Sequence, residues 1–177
     1  MIRRPQTVRL ATPQDIEPLY WMLMRDLAVD NSLGIPVSPT MVLDWVYKCC
    51  RGDGAIAGVI DSPNGIVAST GVVASHHLFS DAWKLQQIWL FVTPQARKGA
   101  RYADKLFQFC LWHKGDMSSR LGYDVPLEIS VVSRKRLPAK LRLWGRYGEM
   151  IGGVFWTRGE NEHRQQFDNQ DLDATLP

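Results

Sequence analysis

The chain has 177 residues, 45% hydrophobic and 22% charged, the size and balance of one soluble domain with its own core. No apolar run approaches the roughly 20 residues that a membrane helix needs, and the basic start at Arg3 and Arg4 has no apolar stretch behind it, which argues against a secretory signal. The three cysteines, Cys49, Cys50 and Cys110, are odd in number and show no metal-ligand spacing, so they argue against a disulfide framework and for a reducing, cytoplasmic compartment.

The net charge of +3 is uneven, because five acidic residues outnumber two basic ones from Arg158 onward. The body is therefore the basic part, which suits an anionic cofactor or partner, or an ordinary solvated surface. The seven tryptophans belong to core or pocket walls.

Residues 8–11 predict a short strand. Thr12, Pro13 and Asp15 form a helix start, and Ile16, Leu19, Tyr20, Leu23 and Leu27 follow at helical spacing. A turn-rich loop occupies 30–39. Ser38 and Pro39 then repeat the cap-and-proline start, with Val42, Trp45, Val46 and Cys49 as the apolar face of a second helix. Gly52-Asp53-Gly54 ends it.

Residues 55–60 and 66–74 predict two strands joined by a hairpin turn at Ser62-Pro63-Asn64-Gly65. His76 and His77 fall in the loop that follows. Residues 85–92 predict a strand whose apolar end, 88–92, suits a central position covered on both faces. A helix then carries Ala103, Leu106, Phe107, Cys110 and Leu111 on one side. Strand 127–132, helix 137–147 ending at Gly148, and strand 150–157 complete the order. The expectation is an α/β (α+β) domain over 1–157, with a mixed, mainly antiparallel sheet flanked by helices in the order β-α-α-β-β-β-α-β-α-β. Residues 158–177 form a polar, acidic tail.

One segment carries chemistry on its own terms. A buried strand ends at Val92, Pro94 stops the ladder, and the chain turns directly into a helix. The first N–H groups of a helix lack intrahelical acceptors, and the dipole adds positive potential there. Gly99 and Ala100 are small, while Arg97, Lys98 and Arg101 add full charges, so the segment reads as a pyrophosphate cradle. A solvated basic helix start is the competing reading.

This segment resembles the acetyl-CoA motif of the GNAT superfamily of N-acetyltransferases, Val-x-Pro-x-x-Arg-x-x-Gly-x-Gly/Ala-x-x-Leu. Val92, Pro94 and Arg97 match; the motif glycines fall on Ala100 and on Tyr102, beside Ala103, and Gly99 is displaced by one residue. Leu143-Trp144-Gly145-Arg146-Tyr147-Gly148 is similar to the pattern Leu-Tyr-x-Lys/Arg-x-Gly of the superfamily's last helix. Ser133 stands where many members have Asn. The resemblance spans nearly the whole chain and identifies a divergent member.

The resemblance implies an acyl-CoA-dependent N-acyltransferase that passes an acetyl group from acetyl-CoA, or another acyl-CoA, to an amine by direct attack. Leu90, Phe91 and Val92 would pair with the pantetheine arm. Arg97, Lys98, Gly99, Ala100, Arg101, Tyr102 and Ala103 would hold the pyrophosphate, with Ser133 and Trp144 also at the cofactor. The superfamily's tyrosine acid corresponds to Trp144, whose N–H donates a hydrogen bond but is no acid at neutral pH. Tyr147 is the substitute, or a packed aromatic, and Ser133 a further donor. For the base, Gln86 and Gln87 stand where members place a glutamate, and Gln87 would hold a water. Glu128 is a carboxylate in an apolar run, where burial raises a pKa; the alternative is an outward-facing residue. His76 or His77 would titrate near neutrality.

The acceptor is a small-molecule amine, a peptide amine or an amine on a nucleic acid. The last suits the basic body and Arg134-Lys135-Arg136. A non-catalytic module that binds CoA or a partner is the non-enzyme alternative, no membrane partner is implied, and a homodimer is left open.

Overall fold

The computed structural model describes residues 5–29, 36–77, 79–97, 101–129 and 137–147. After strand β1 (Arg9–Leu10) comes a 3-10 turn at Pro13–Asp15, then helices α1 (Ile16–Val29) and α2 (Pro39–Arg51). Strands β2 (Ala55–Ser62), β3 (Gly65–His77) and β4 (Ser80–Val92) follow, and a 3-10 turn at Pro94–Arg97 leads to α3 (Tyr102–Leu121), β5 (Leu127–Ile129) and α4 (Leu137–Trp144). The sheet order is β1-β2-β3-β4-β5. The first four strands are antiparallel neighbours, and β5 lies parallel to β4 after the α3 crossover. This is the mixed, mainly antiparallel architecture expected from the element order.

The local signals act as their chemistry dictates. Thr12 N donates to Asp15 Oδ2 at 2.7 Å, and Asp15 also takes Arg9 Nη1 at 2.7 Å, which ties the start of α1 to the sheet. Ser38 Oγ accepts from Met41 N to cap α2, and Gly52 ends that helix at φ 73°, a left-handed value that glycine adopts without strain. Ser62 pairs with Gly65 across a two-residue hairpin loop.

The two long central strands run further than the sequence pattern suggests. β3 extends to His77, and β4 begins at Ser80. His76 pairs with Trp83 and His77 with Ser80, so both histidines are strand residues and not loop residues. Ring contact between His76 and Trp83, 4.0 Å between centroids, favours the extension, whereas polar residues there had read as a loop. The third turn of α4 is also shorter than expected: the helix stops at Trp144, and residues 145–147 form a turn. Strand 150–157, the tail 158–177 and the second half of strand 127–132 lie outside the described residues.

Helices cover both faces of the sheet. On one face, Leu19, Met22 and Leu23 of α1 and Val46, Cys49 and Cys50 of α2 pack on Ala55, Ala57, Val59 and Phe91. On the other, Leu106 and Phe109 of α3 meet Ile60, Ala68 and Val92, and Cys110 meets Val72 and Leu85.

The register between β3 and β4 slips once. Gly71 faces Trp89 but the next residue, Val72, faces Gln87, so Ile88 is an extra residue in β4. A bulge of this kind reverses the in–out alternation beyond it. Leu85 packs under α3, and so do Leu90 and Val92, while Ile88, Trp89 and Phe91 all pack on the α1–α2 side.

Candidate cofactor site at the end of strand β4

The end of β4, the 3-10 turn and the start of α3 hold Leu90, Phe91, Val92, Arg97, Arg101, Tyr102 and Ala103 among the residues singled out by sequence. Thr93 N donates to Val67 O at 2.9 Å. That bond makes Ala68 and Val92 a non-hydrogen-bonded pair. The backbone groups of Val92, and of Leu90 two residues earlier, therefore point away from β3. Those of Phe91 point at β3, where it pairs with Ser69. Phe91 is thus removed from the expected backbone pairing with a ligand by the two-residue period of the strand. Its ring, 7% exposed, belongs to the core beside α1 and α2.

The edge of β4 away from β3 is paired with β5 only from Leu85 to Gln87. Among the described residues no strand pairs with that edge from the bulge onward. Arg97 Nε donates to Val92 O at 2.8 Å, and its guanidinium lies 5.8 Å from the Phe91 ring centroid. Arg97 therefore braces the end of the strand, while the rest of its exposed fork remains at the loop.

α3 begins with Arg101 as its N-cap, at φ 49°. It is the one non-glycine residue with positive φ among the described residues. The first helical bond runs from Lys105 N to Arg101 O at 3.1 Å, so the N–H groups of Tyr102, Ala103 and Asp104 precede the ladder. Lys98, Gly99 and Ala100, and also Ser133, lie outside the described residues.

Asp104 was not singled out by the sequence, and it organises this helix start. Its side chain is 11% exposed and takes Tyr147 Oη–H at 2.7 Å, Arg146 Nη2 at 3.0 Å and Arg101 Nη2 at 3.4 Å. The Tyr147 ring packs on Phe107 with centroids 4.8 Å apart. Tyr147 thus packs as an aromatic with its hydroxyl donated to a carboxylate. The legible signal for Asp104 was its position three residues after Arg101 in the first helical turn, a spacing that lets opposite charges meet.

The other candidates are held elsewhere. Gln87 is 6% exposed, and its Nε2 donates to Thr70 Oγ1 at 3.1 Å and to Cys110 Sγ at 3.4 Å. Thr70 Oγ1 in turn donates to Trp89 O at 2.8 Å. Gln87 therefore belongs to a buried polar cluster under α3. Glu128 pairs with Lys84 Nζ at 2.8 Å, its side chain 44% exposed. It is the outward-facing residue and not a carboxylate enclosed by apolar groups. Trp144 Nε1 is a buried side-chain nitrogen with no hydrogen-bond partner among the described residues.

The thiols are free and buried. Burial pushes Cys49 up to about 12, and Cys50 and Cys110 up to about 11. No group of three His, Cys, Asp or Glu among the described residues is placed to hold a metal ion, and no described helix is long and apolar enough to cross a membrane.

No protein-family model matches the chain, and no curated protein matches it. Solved structures do. A predicted acetyltransferase with acetyl-CoA from Clostridium acetobutylicum superposes with a TM-score of 0.62 at 13% identity, covering 88% of this chain and 97% of its own. A ribosomal-protein-alanine N-acetyltransferase from Brucella melitensis biovar Abortus gives 0.57 at 12% identity, covering 86% and 96%. An aminoglycoside acetyltransferase from an uncultured soil metagenomic sample gives 0.54 at 13% identity, covering 86% and 95%. The similarity spans nearly the full length of each and is one of fold: the chain has the GNAT-like fold of these acetyltransferases.

Proposed function

We propose that this chain, with its GNAT-like fold, is an acyl-CoA-dependent N-acyltransferase that passes an acetyl group from acetyl-CoA to an amine. The observation that carries the reading is the continuity from a strand edge that no described strand pairs to a helix start with no side-chain cap among the described residues. Leu90 and Val92 turn backbone groups to the edge of β4 beyond its pairing with β5. A few residues later α3 opens with the N–H groups of Tyr102, Ala103 and Asp104, which precede its first bond from Lys105 N to Arg101 O. An extended amide-bearing arm that leads to a pyrophosphate would satisfy both: main-chain pairing along the edge and anion binding at the helix start. The edge and the helix start belong to one segment, so a ligand bound to both would be fixed in position relative to the acceptor.

Transfer in a single ternary complex is the pathway consistent with the cysteines, since all three are buried and poor nucleophiles. The acceptor class is a small-molecule or protein amine, the classes named for two of the similar structures. Those names belong to those enzymes, and they indicate here only the kind of nucleophile. The non-catalytic reading also has a specific observation behind it, because Tyr147, Glu128 and Gln87 are all engaged within the protein.

One assay separates the two. Thiol release from acetyl-CoA is followed over a panel of primary amines, alongside calorimetric titration with CoA. Turnover that falls on Arg97→Ala supports the enzyme. CoA binding without turnover for any amine supports the module, and absence of CoA binding at millimolar concentration refutes both.

A further inference from the structure

Arg9 shows what a purely structural arginine looks like in this fold. Its fork is spent on two carboxylates: Nη1 and Nη2 reach Asp15 at 2.7 and 2.9 Å, and Nε and Nη2 reach Asp61 at 2.5 and 2.9 Å. Arg101 and Arg146 are arranged differently. Each brings one nitrogen to the same carboxylate, Asp104, and their side chains remain 70% and 50% exposed. Among the described residues one carboxylate faces the two guanidiniums, so the cluster that these three side chains form carries a net positive charge. Asp104, enclosed and also tied to Tyr147, fixes the two arginines beside the first N–H groups of α3.

We propose that Arg146 and Arg101, held together by Asp104, form a two-guanidinium seat for the phosphates at the nucleotide end of the cofactor. Arg146 is then a cofactor-binding residue supplied by the turn after α4, and Asp104 is its positioning residue. The chemistry matches, since guanidinium forks bind phosphate oxygens in pairs where a lysine acts as a point charge. The seat also gives the cofactor contact with both α3 and the chain that follows α4. The inference rests on the acyl-CoA reading above and extends it to residues outside the β4–α3 loop.

The test is calorimetric titration of the full chain with CoA and, separately, with adenosine 3′,5′-bisphosphate, in wild-type, Arg146→Ala and Arg146→Glu proteins. Loss of a hydrogen bond between charged groups predicts roughly ten- to hundredfold weaker CoA binding in Arg146→Ala, and weaker still in Arg146→Glu. The bisphosphate should weaken in parallel, while the melting temperature of the unliganded protein shifts little because the side chain is half exposed. CoA binding by Arg146→Ala equal to wild type overturns this inference alone. So does a loss of CoA affinity that the bisphosphate does not share. A wild-type protein that binds no CoA overturns the inference together with the acyl-CoA reading.

Discussion

Tyr147 Oη donates to Asp104 Oδ1 at 2.7 Å, joining the turn after α4 to the first turn of α3 across 43 residues of sequence. Tyr147→Phe removes one such bond and should cost about 1 kcal/mol, whereas Asp104→Ala also gives up two ion pairs to solvent-exposed arginines and should cost about 1–2 kcal/mol. The double variant should lose less than the sum, because both changes break the same contact. Urea unfolding of the four proteins measures the coupling. If Tyr147 served as the catalytic acid, Tyr147→Phe would also lower the rate of thiol release; a residue that only joins the two elements would leave it near the wild-type value.

Gly71 lies directly under the Trp89 ring, and a Cβ there would overlap the ring carbons. Trp89 is fixed from its other side by Nε1 donating to Ser69 Oγ at 3.1 Å. Gly71→Ala must therefore push the indole away at the bulge, a strain of about 1–3 kcal/mol. A lowered melting temperature together with altered tryptophan fluorescence is the expected result.

Asp15 is held at about 2, against 3.8 for the ordinary carboxyl, mainly by hydrogen bonding to Arg9 and further by the Thr12 N–H, with burial opposing. A depressed folded-state pKa stabilises the protein above the unfolded value and loses that stability as the pH falls. The contribution is complete above about pH 4 and vanishes as the pH drops through about 2. It amounts to about 1–2 kcal/mol once discounted for the half-exposed arginine. Asp15→Asn should flatten the acid-unfolding curve in that window.

Cys49, Cys50 and Cys110 are free and buried. With thiols at about 11 to 12, iodoacetamide at pH 8 should leave the folded protein unmodified and label all three in denaturant. Mass spectrometry distinguishes the outcomes. Labelling of one native thiol would reopen a pathway through an acyl-thioester on the protein.

Arg101 occupies the left-handed region at φ 49°, which costs a side-chain-bearing residue roughly 1–2 kcal/mol. Arg101→Gly should relieve that strain and raise stability by up to about 1 kcal/mol after glycine's own entropic cost. It should at the same time weaken CoA binding. Opposite signs in thermal denaturation and in titration are the result to expect.

The elements that position the site were legible because their signals are local. Ser38, Pro39 and Gly52 bound α2 through their own backbone preferences, and the run ending at Val92 could only be a covered strand. The fates of Gln87, Glu128 and Tyr147 were not legible, because their partners come from distant residues. Gln87 meets Cys110 from α3, Glu128 meets Lys84 from β4, and Tyr147 meets Asp104. Periodicity shows which face a side chain shares, but it does not show which donor lies opposite. The bulge escaped for a related reason: residues 88–92 are apolar throughout, so a strand with or without an extra residue reads the same.

That extra residue has a consequence for how the chain can change over evolutionary time. Ile88 is the odd link that lets Leu85 and Leu90 share one face. Exchanging it for another apolar residue leaves the count intact. Deleting it would restore plain alternation and leave Trp89, Leu90 and Val92 on the faces they hold, whereas deleting Phe91 instead would turn Val92 to the opposite side and carry the cofactor loop with it. Along β4 a lost residue is thus absorbed at the bulge and refused beyond it, so that position 88 is where the strand can shorten without exchanging its faces.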